Sequence, residues 1–109
     1  MKRFDIVLYL GSTFSETIFL DTNEDLSSGY TAELKIKAHP LSEEVLMTLS
    51  TADGDLELTE FGELKIRIDH DDEDIPERGG VYNVLMTKTS DDTKTFILWG
   101  YFIRQVSNF

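Results

Sequence analysis

The main concentration of side chains that could bind a metal ion is the run Asp69-His70-Asp71-Asp72-Glu73-Asp74. Clustered carboxylates supply the hard oxygen ligands that calcium and magnesium prefer, and His70 could join them around a transition metal. The spacing matches no defined metal-binding loop, and most blocks of like charge are solvated turns. We therefore predict no metal site and no cofactor. The predicted acidic surface consists of Asp71, Asp72, Glu73 and Asp74.

Residues suited to catalysis are scarce. The chain has two histidines, His39 and His70, and no cysteine, which excludes thiolate nucleophiles, disulfides and cysteine zinc sites. Serines such as Ser12 and Ser15 would need a positioned base, and two histidines in loop-like segments are poor candidates for that role. No nucleophile elbow, phosphate-binding loop, dinucleotide fingerprint or EF-hand occurs. We predict that the protein is not an enzyme, and we expect no small-molecule substrate.

Aromatic side chains offer a second kind of chemistry, because their faces stack on sugars and on nucleic acid bases. Trp99, Tyr82 and Tyr101 lie in segments with a strand-like pattern. At strand positions such residues more often anchor a core or a protein interface than a ligand. A neutral sugar remains compatible with the charge of the chain, so a carbohydrate-binding module is one alternative function.

The charge of the chain argues against nucleic acid as a partner. The sequence has 21 acidic and 10 basic side chains, which give a formal net charge of −11, and binding to a phosphate backbone requires a concentrated positive surface. The same acidity could imitate nucleic acid towards a DNA-binding protein. An acidic inhibitor that mimics nucleic acid is therefore the other alternative function.

Length and hydropathy predict one globular domain over residues 1–109. Apolar residues make up 40% of the sequence and aromatic residues 11%, which suffices for one core, while the length is too short for two ordinary domains. No run of about 18 apolar residues occurs, and no signal-peptide stretch follows the first residues. We expect a soluble, cytosolic protein with no membrane partner.

Glycine and Asx turn signals at short intervals predict an all-β chain. Residues 30–38 alternate between apolar and polar side chains, as in a strand with one buried face, and residues 63–69 and 55–60 repeat the pattern. Asp53-Gly54 fits a type I′ turn, which needs positive φ at both central residues. We therefore predict a hairpin between residues 45–51 and 55–60.

Two connecting segments are harder to assign from pattern alone. Residues 40–49 have a helical alternative with Ser42 as its cap, but a loop followed by a strand is preferred. Residues 69–78 are predicted to form an acidic connection with room for one helical turn, which would end at Ile75-Pro76 because proline disfavours helical backbone in the residue before it. We expect Ile75 to anchor this connection in the core.

Three segments, residues 4–10, 81–86 and 96–103, are apolar on both faces. Only one face of each sheet in a two-layer sandwich meets the core, so the other face must be covered by the protein's own loops or by another protein chain. If the three are neighbours in one sheet, its outer face is an apolar patch of the kind that marks interaction sites. Two registers of the last segment are possible, one exposing Phe96, Leu98, Gly100 and Phe102 and one exposing Trp99 and Tyr101. The candidate interface comprises Phe96, Leu98, Trp99, Tyr101 and Phe102.

Five short motifs in a fixed order carry a family resemblance. They are Gly11-Ser12-Thr13-Phe14, Asp25-Leu26-Ser27-Ser28-Gly29-Tyr30-Thr31-Ala32, Gly62-Glu63-Leu64, Gly80-Val81-Tyr82-Asn83 and Leu98-Trp99-Gly100-Tyr101-Phe102-Ile103. This order resembles that of the small β-sandwich domains of tailed-bacteriophage tail and baseplate proteins, including the N-terminal domains of upper-baseplate proteins. Ser28 is an insertion relative to that pattern, and Asn83 stands where the family often has aspartate.

The resemblance implies a two-sheet antiparallel sandwich of the Ig-like or Greek-key type with about eight strands. It also implies a scaffold role without a catalytic site, in which the chain self-associates, docks on other phage structural proteins, or does both. The expected location is the host cytoplasm when the protein is synthesised, and the virion if it is incorporated.

Overall fold

A computed structural model of the chain describes residues 1–9, 11–69, 75–76 and 78–105. This part of the chain forms strands, turns and loops and contains no helix. The strands are β1 (Lys2–Arg3), β2 (Ile6–Tyr9), β3 (Phe14–Phe19), β4 (Tyr30–Lys37), β5 (Met47–Ser50), β6 (Leu56–Leu58), β7 (Glu63–Ile68), β8 (Gly80–Lys88) and β9 (Thr93–Gln105).

The strands form two sheets packed against each other, which confirms the predicted all-β sandwich. In the large sheet the order is β1, β9, β8, β4, β5, with β2 following β1 along the same edge of β9. In the small sheet the order is β3, β7, β6. Neighbouring strands are antiparallel, except that β1 and β2 run parallel to β9. The N-terminal strands thus depart from the antiparallel pattern expected of the sandwich.

Alternating side chains build the core as predicted. On β4 the side chains of Leu34 and Ile36 are buried, and on β7 those of Leu64, Ile66 and Ile68 are buried. Each large aliphatic side chain removed from water stabilises the fold by about 1.5–3 kcal/mol. The buried apolar residues of both sheets form one cluster, and Ile75 packs against its edge, in agreement with its predicted role as an anchor.

The predicted hairpin across Asp53-Gly54 is wrong. β5 pairs with β4 and β6 pairs with β7, so the turn carries the chain from the large sheet to the small one. Gly54 has a φ of +82°, but Asp53 is not among the residues with positive φ, so a type I′ turn does not form. The other prediction for this region is confirmed, because a loop precedes β5 and no helix forms there.

A different turn makes the hairpin of the small sheet. It joins β6 to β7, and Gly62 adopts a φ of +73° there. The Thr59 hydroxyl accepts hydrogen bonds from the N–H groups of Phe61 (3.3 Å) and Glu63 (3.2 Å). A Cβ atom at position 62 would overlap the carbonyl oxygen of Thr22, so both backbone conformation and space require glycine here.

Candidate protein interface

The three segments that are apolar on both faces become neighbours in the large sheet. β2 pairs with β9, and β9 pairs with β8. This is the arrangement under which the sequence predicts an apolar outer surface. We use the term outer face for the side of the large sheet that is turned away from the small sheet.

The structure corrects the candidate interface for two residues. Leu98 and Phe102 have exposed fractions of 0% and 2% and belong to the core, so they do not reach the outer face. Phe96 and Tyr101 are 50% and 46% exposed, and Trp99 is half-buried. Of the two registers left open by the sequence, the structure has the one that exposes Trp99 and Tyr101.

A β-bulge in β9 brings Phe96 to the same face as Trp99. Leu98 is the cross-strand partner of Val84, whereas Phe96 is the partner of Leu85, so Ile97 is the extra residue between them. In a regular strand, two residues three positions apart point to opposite faces. The bulge changes this phase, so that three aromatic rings of β9 lie on the outer face.

Cross-strand pairing places polar and aromatic side chains in rows across the outer face. Arg3 pairs with Trp99, Trp99 with Asn83, and Asn83 with Lys35. In the adjacent row Tyr101 pairs with Val81, and Val81 with Lys37. The aromatic rings of β9 therefore lie between an arginine on one side and two lysines on the other.

Arg3 covers the rings from the edge of the sheet. Its guanidinium carbon lies 5.1 Å from the Trp99 ring centroid and 5.3 Å from that of Tyr101, within the range of a cation–π interaction. The two rings meet edge to face, with centroids 6.3 Å apart. The guanidinium also donates to the carboxylate of Asp5 at 3.1 Å. These contacts hold both rings in a defined orientation.

Asp5 connects this cluster to the backbone of β9. Its Oδ1 accepts a hydrogen bond from the N–H group of Tyr101 at 3.0 Å, at the point where the edge strand is interrupted between β1 and β2. This backbone donor, followed by the Arg3 guanidinium, lowers the pKa of the Asp5 carboxyl. The bond to Asp5 likewise raises the pKa of Arg3. Asp5 therefore supplies the acceptor that the interrupted strand lacks and orients Arg3.

Beneath this cluster, Tyr82 and Gly100 meet the same carbonyl group. They are cross-strand partners on the inner face, the Tyr82 hydroxyl donates to the carbonyl oxygen of Phe4, and a Cβ at position 100 would overlap that oxygen. Burial raises the pKa of the Tyr82 phenol, so the hydroxyl stays protonated and remains a donor. The glycine lets the N-terminal segment approach β9, and the tyrosine holds it there.

Two depressions lie on the outer face. The larger, about 540 Å³, lies over β4 and β8 and includes Leu85, Lys94 and Phe96. The smaller, about 180 Å³, is called the lysine recess here. Its lining includes Lys35, Lys37, Pro40, Asn83, Trp99 and Tyr101.

The other residues singled out from the sequence do not come together in a site. The predicted acidic surface at Asp71, Asp72, Glu73 and Asp74, together with His70, lies outside the described residues. His39 is exposed, and its Nδ1 accepts a hydrogen bond from the N–H of Leu41 at 3.1 Å, so it stabilises a turn. Across the described ranges, no three His, Cys, Asp or Glu side chains are grouped so that they could hold a metal ion.

A membrane-spanning helix is also not found: among the described residues, no helix is long and apolar enough to cross a bilayer.

Sequence reasoning missed the polar part of the outer face. Arg3, Lys35, Lys37 and Asn83 surround the rings of β9, yet none was a candidate site residue. The alternation in β4 already indicated that Lys35 and Lys37 point away from the core. What the alternation could not provide is the strand order, which places these lysines beside aromatic residues about 60 positions later in the chain.

No protein-family model matches the chain, and no curated protein sequence matches it significantly.

Proposed function

We propose that the chain is a non-enzymatic structural protein of a phage or prophage virion, a tail or baseplate assembly domain that acts through protein–protein contacts. The observation that carries this proposal is the outer face, where β9 presents Phe96, Trp99 and Tyr101 on the same side of the sheet. The contacts are made with further copies of the chain, with other virion proteins, or with both.

The composition of the outer face fits a protein interface. Aromatic and arginine side chains contribute most of the binding energy in such contacts, and a polar rim excludes water around them. Here the rings are flanked by Arg3, Lys35 and Asn83, all on regular strands whose positions are set by the core. A preformed surface of this kind loses little conformational entropy on binding.

Support for the phage assignment comes from the ordered motifs and from the sandwich that they form. Two of these motifs have a structural explanation in this chain, because Tyr82 and Gly100 together fix the N-terminal segment against β9. The glycine of a third, Gly62, occupies the tight turn between β6 and β7. All three positions, Gly62, Tyr82 and Gly100, therefore have a role in the fold.

The first experiment is the oligomeric mass of the purified protein by light scattering, over a range of concentrations and at low and high salt. Self-association through the rings gives an oligomer that survives high salt, since apolar contacts are not screened. The double variant Trp99→Ser with Tyr101→Ser should then be monomeric. Phe61→Ser is the control, because Phe61 is an exposed ring in the turn between β6 and β7, away from the outer face. A wild-type monomer under all conditions would contradict self-association and restrict the proposal to docking on another protein.

A pull-down from host lysate, washed at low and at high salt, separates assembly from imitation of nucleic acid. An inhibitor that uses carboxylates in place of phosphates would bind a basic partner with an affinity that falls steeply as salt is added. Partners captured from host lysate that remain bound at high salt would argue against mimicry. Partners that are released by moderate salt and are displaced by DNA would argue for it.

A carbohydrate-binding module is a second candidate, favoured by the lysine recess. Its volume of about 180 Å³ is of the size of a single sugar ring, and Trp99, Tyr101 and Asn83 line it. Aromatic faces and amide groups are common in sugar sites. A glycan array probed with the wild-type protein and with Trp99→Ser tests this candidate, and absence of any signal that depends on Trp99 would remove it.

A further inference from the structure

Charge is distributed very unevenly between the large sheet and the rest of the chain. The strands of the large sheet contain one acidic side chain, Glu33, although the chain has 21 acidic residues in total. They also contain seven of the ten basic side chains: Lys2, Arg3, Lys35, Lys37, Lys88, Lys94 and Arg104. A protein with a net charge of −11 therefore carries a locally cationic sheet.

Most cations of the outer face already have an acidic partner. Arg3 pairs with Asp5 at 3.1 Å, Lys35 with Glu33 at 3.2 Å, and Lys94 with Asp92 at 3.2 Å. Lys37 differs, because it has no ion-pair partner within the described part of the chain. It lines the lysine recess together with Lys35.

We propose that the partner of the outer face presents an extended acidic polypeptide segment, and that one carboxylate of this segment binds in the lysine recess between Lys35 and Lys37, beside the ring of Trp99. This inference rests on the proposed function and specifies the chemistry of its partner. Lys35 and Lys37 are two residues apart on β4, about 7 Å along the strand. Lys37 is available for a carboxylate of an extended chain, and Lys35 can exchange its partner for a second one, because its ion pair with Glu33 is exposed and such pairs are weak.

The dimensions of the recess favour a side chain. At about 180 Å³ it is smaller than the pockets that enclose drug-sized ligands, which begin near 300 Å³. Trp99 and Pro40 give it apolar walls, while Asn83 and the two lysines give it donors. An aspartate or glutamate side chain, with an apolar stem and a charged end, matches this lining.

Nucleic acid fits the same surface less well. Tight binding to a phosphate backbone requires many phosphate contacts, whereas three of the four outer-face cations are paired and one is free. A net charge of −11 repels a polyanion before contact. A second copy docked face to face is also disfavoured, since the two copies of the outer face carry charge of the same sign. A segment from another protein with a few carboxylates among apolar residues is repelled less than a nucleic acid, because it carries less negative charge, and it needs only the cations of the lysine recess.

The chain contains one tryptophan, Trp99, so its fluorescence reports on the lysine recess directly. The probe is a blocked nonapeptide in which glutamate alternates with leucine, and its control is the same peptide with glutamine in place of every glutamate. We expect the acidic peptide to shift Trp99 emission in a saturable manner and to bind about 10-fold more tightly than the glutamine peptide, as for one charge-assisted hydrogen-bonded pair.

Matched charge variants assign the binding to the recess. Lys35→Gln with Lys37→Gln should abolish the difference between the two peptides. Lys65→Gln with Arg67→Gln removes the same charge from the outward side of the small sheet, where both residues are exposed, and should preserve the difference. Circular dichroism shows whether each variant is folded.

Several outcomes would overturn the inference. They are equal binding of the two peptides, no saturable change with the acidic peptide up to millimolar concentration, and tighter binding of oligothymidylate or of an acidic sugar than of the acidic peptide. Failure of the proposed function is a separate result. It would appear as wild-type protein that neither self-associates nor captures a phage structural protein through Trp99 and Tyr101.

Discussion

The guanidinium carbon of Arg3 lies 5.1 Å from the centroid of the Trp99 ring. The two residues are also direct cross-strand partners in the parallel pair of β1 and β9. The contact between their side chains therefore joins these two strands. This arrangement covers one side of the ring and leaves its other side towards the lysine recess. Arg3 therefore orients the Trp99 ring, which lines the lysine recess, although Arg3 itself is not part of that lining.

Substitution of Arg3 should change the environment of the Trp99 ring more than it changes the stability of the fold. We expect Arg3→Ala to lower the free energy of unfolding only slightly, since its contacts are exposed to solvent. We also expect it to shift Trp99 emission towards that of a solvated indole. Arg67→Ala is the matched control, because Arg67 pairs with Asp69 two residues later just as Arg3 pairs with Asp5. Emission from Arg3→Ala identical to that of the wild type would contradict the contact.

Substitutions of Leu98 test which face of β9 points into the core. Because its side chain is fully buried, Leu98→Ala should reduce the free energy of unfolding by about 2–5 kcal/mol. Leu98→Glu should prevent folding, since an unpaired charge would enter the core. Phe96→Ser, three positions from Trp99 on the outer face, should remain folded. Chemical denaturation followed by circular dichroism measures all three, and a stable, folded Leu98→Glu protein would show that the register is wrong.

Substitutions of Gly100 and Tyr82 should have non-additive effects on the free energy of unfolding. Gly100→Ala forces a Cβ into the Phe4 carbonyl, so we expect a loss of about 1–3 kcal/mol from overpacking. Tyr82→Phe removes the donor to the same carbonyl and should cost about 1–2 kcal/mol. The double variant should lose less than the two single losses combined, because both act on one contact. Tyr30→Phe, whose hydroxyl bonds Glu24 at the surface, is the control, and strict additivity would argue against a shared contact.

Acid should loosen the Arg3 cluster by protonating Asp5. The folded-state pKa of Asp5 is lowered by the Tyr101 N–H and then by Arg3. Its contribution to stability is therefore present above the unfolded value of about 3.9 and disappears as pH falls through the lower folded value. Carbon chemical shifts of the carboxyl groups measure this titration directly.

Two other aspartates provide a comparison in the same experiment. Asp25 and Asp91 accept hydrogen bonds from Ser27 and Thr93, which lower their pKa values, so these two and Asp5 should all titrate below free aspartate. A midpoint for Asp5 at the ordinary value would contradict its hydrogen bond to Tyr101.

Local pattern was sufficient to predict the strands but not their partners. Alternation located β4 and β7, because one face of each packs on the core. The Asp53-Gly54 hairpin was wrong because a turn signal marks a reversal without specifying which sheet the next strand joins. The strand after the turn, β6, pairs with β7, and in this position Leu56 and Leu58 are buried in the core.

The site was predictable only in part for the same reason. Composition alone indicated that residues 96–103 carry two apolar faces, but the bulge at Ile97 decides which rings lie together. A bulge depends on how β9 is accommodated against β8 and has no clear local signal in this segment. The cations that flank the rings come from strands distant in sequence, so their proximity is a property of the topology.

The parallel docking of β1 and β2 on β9 has a consequence for synthesis. Tyr101 donates to Asp5 across 96 positions of sequence, and pairings of such long range form slowly because the closure of a large loop precedes them. On the ribosome, Ile6 and its neighbours have no strand to pair with until residues 93–105 have emerged. A segment that is translated well before β9 is therefore ordered only after it, and the aromatic side of the sheet is completed only when β9 has been translated.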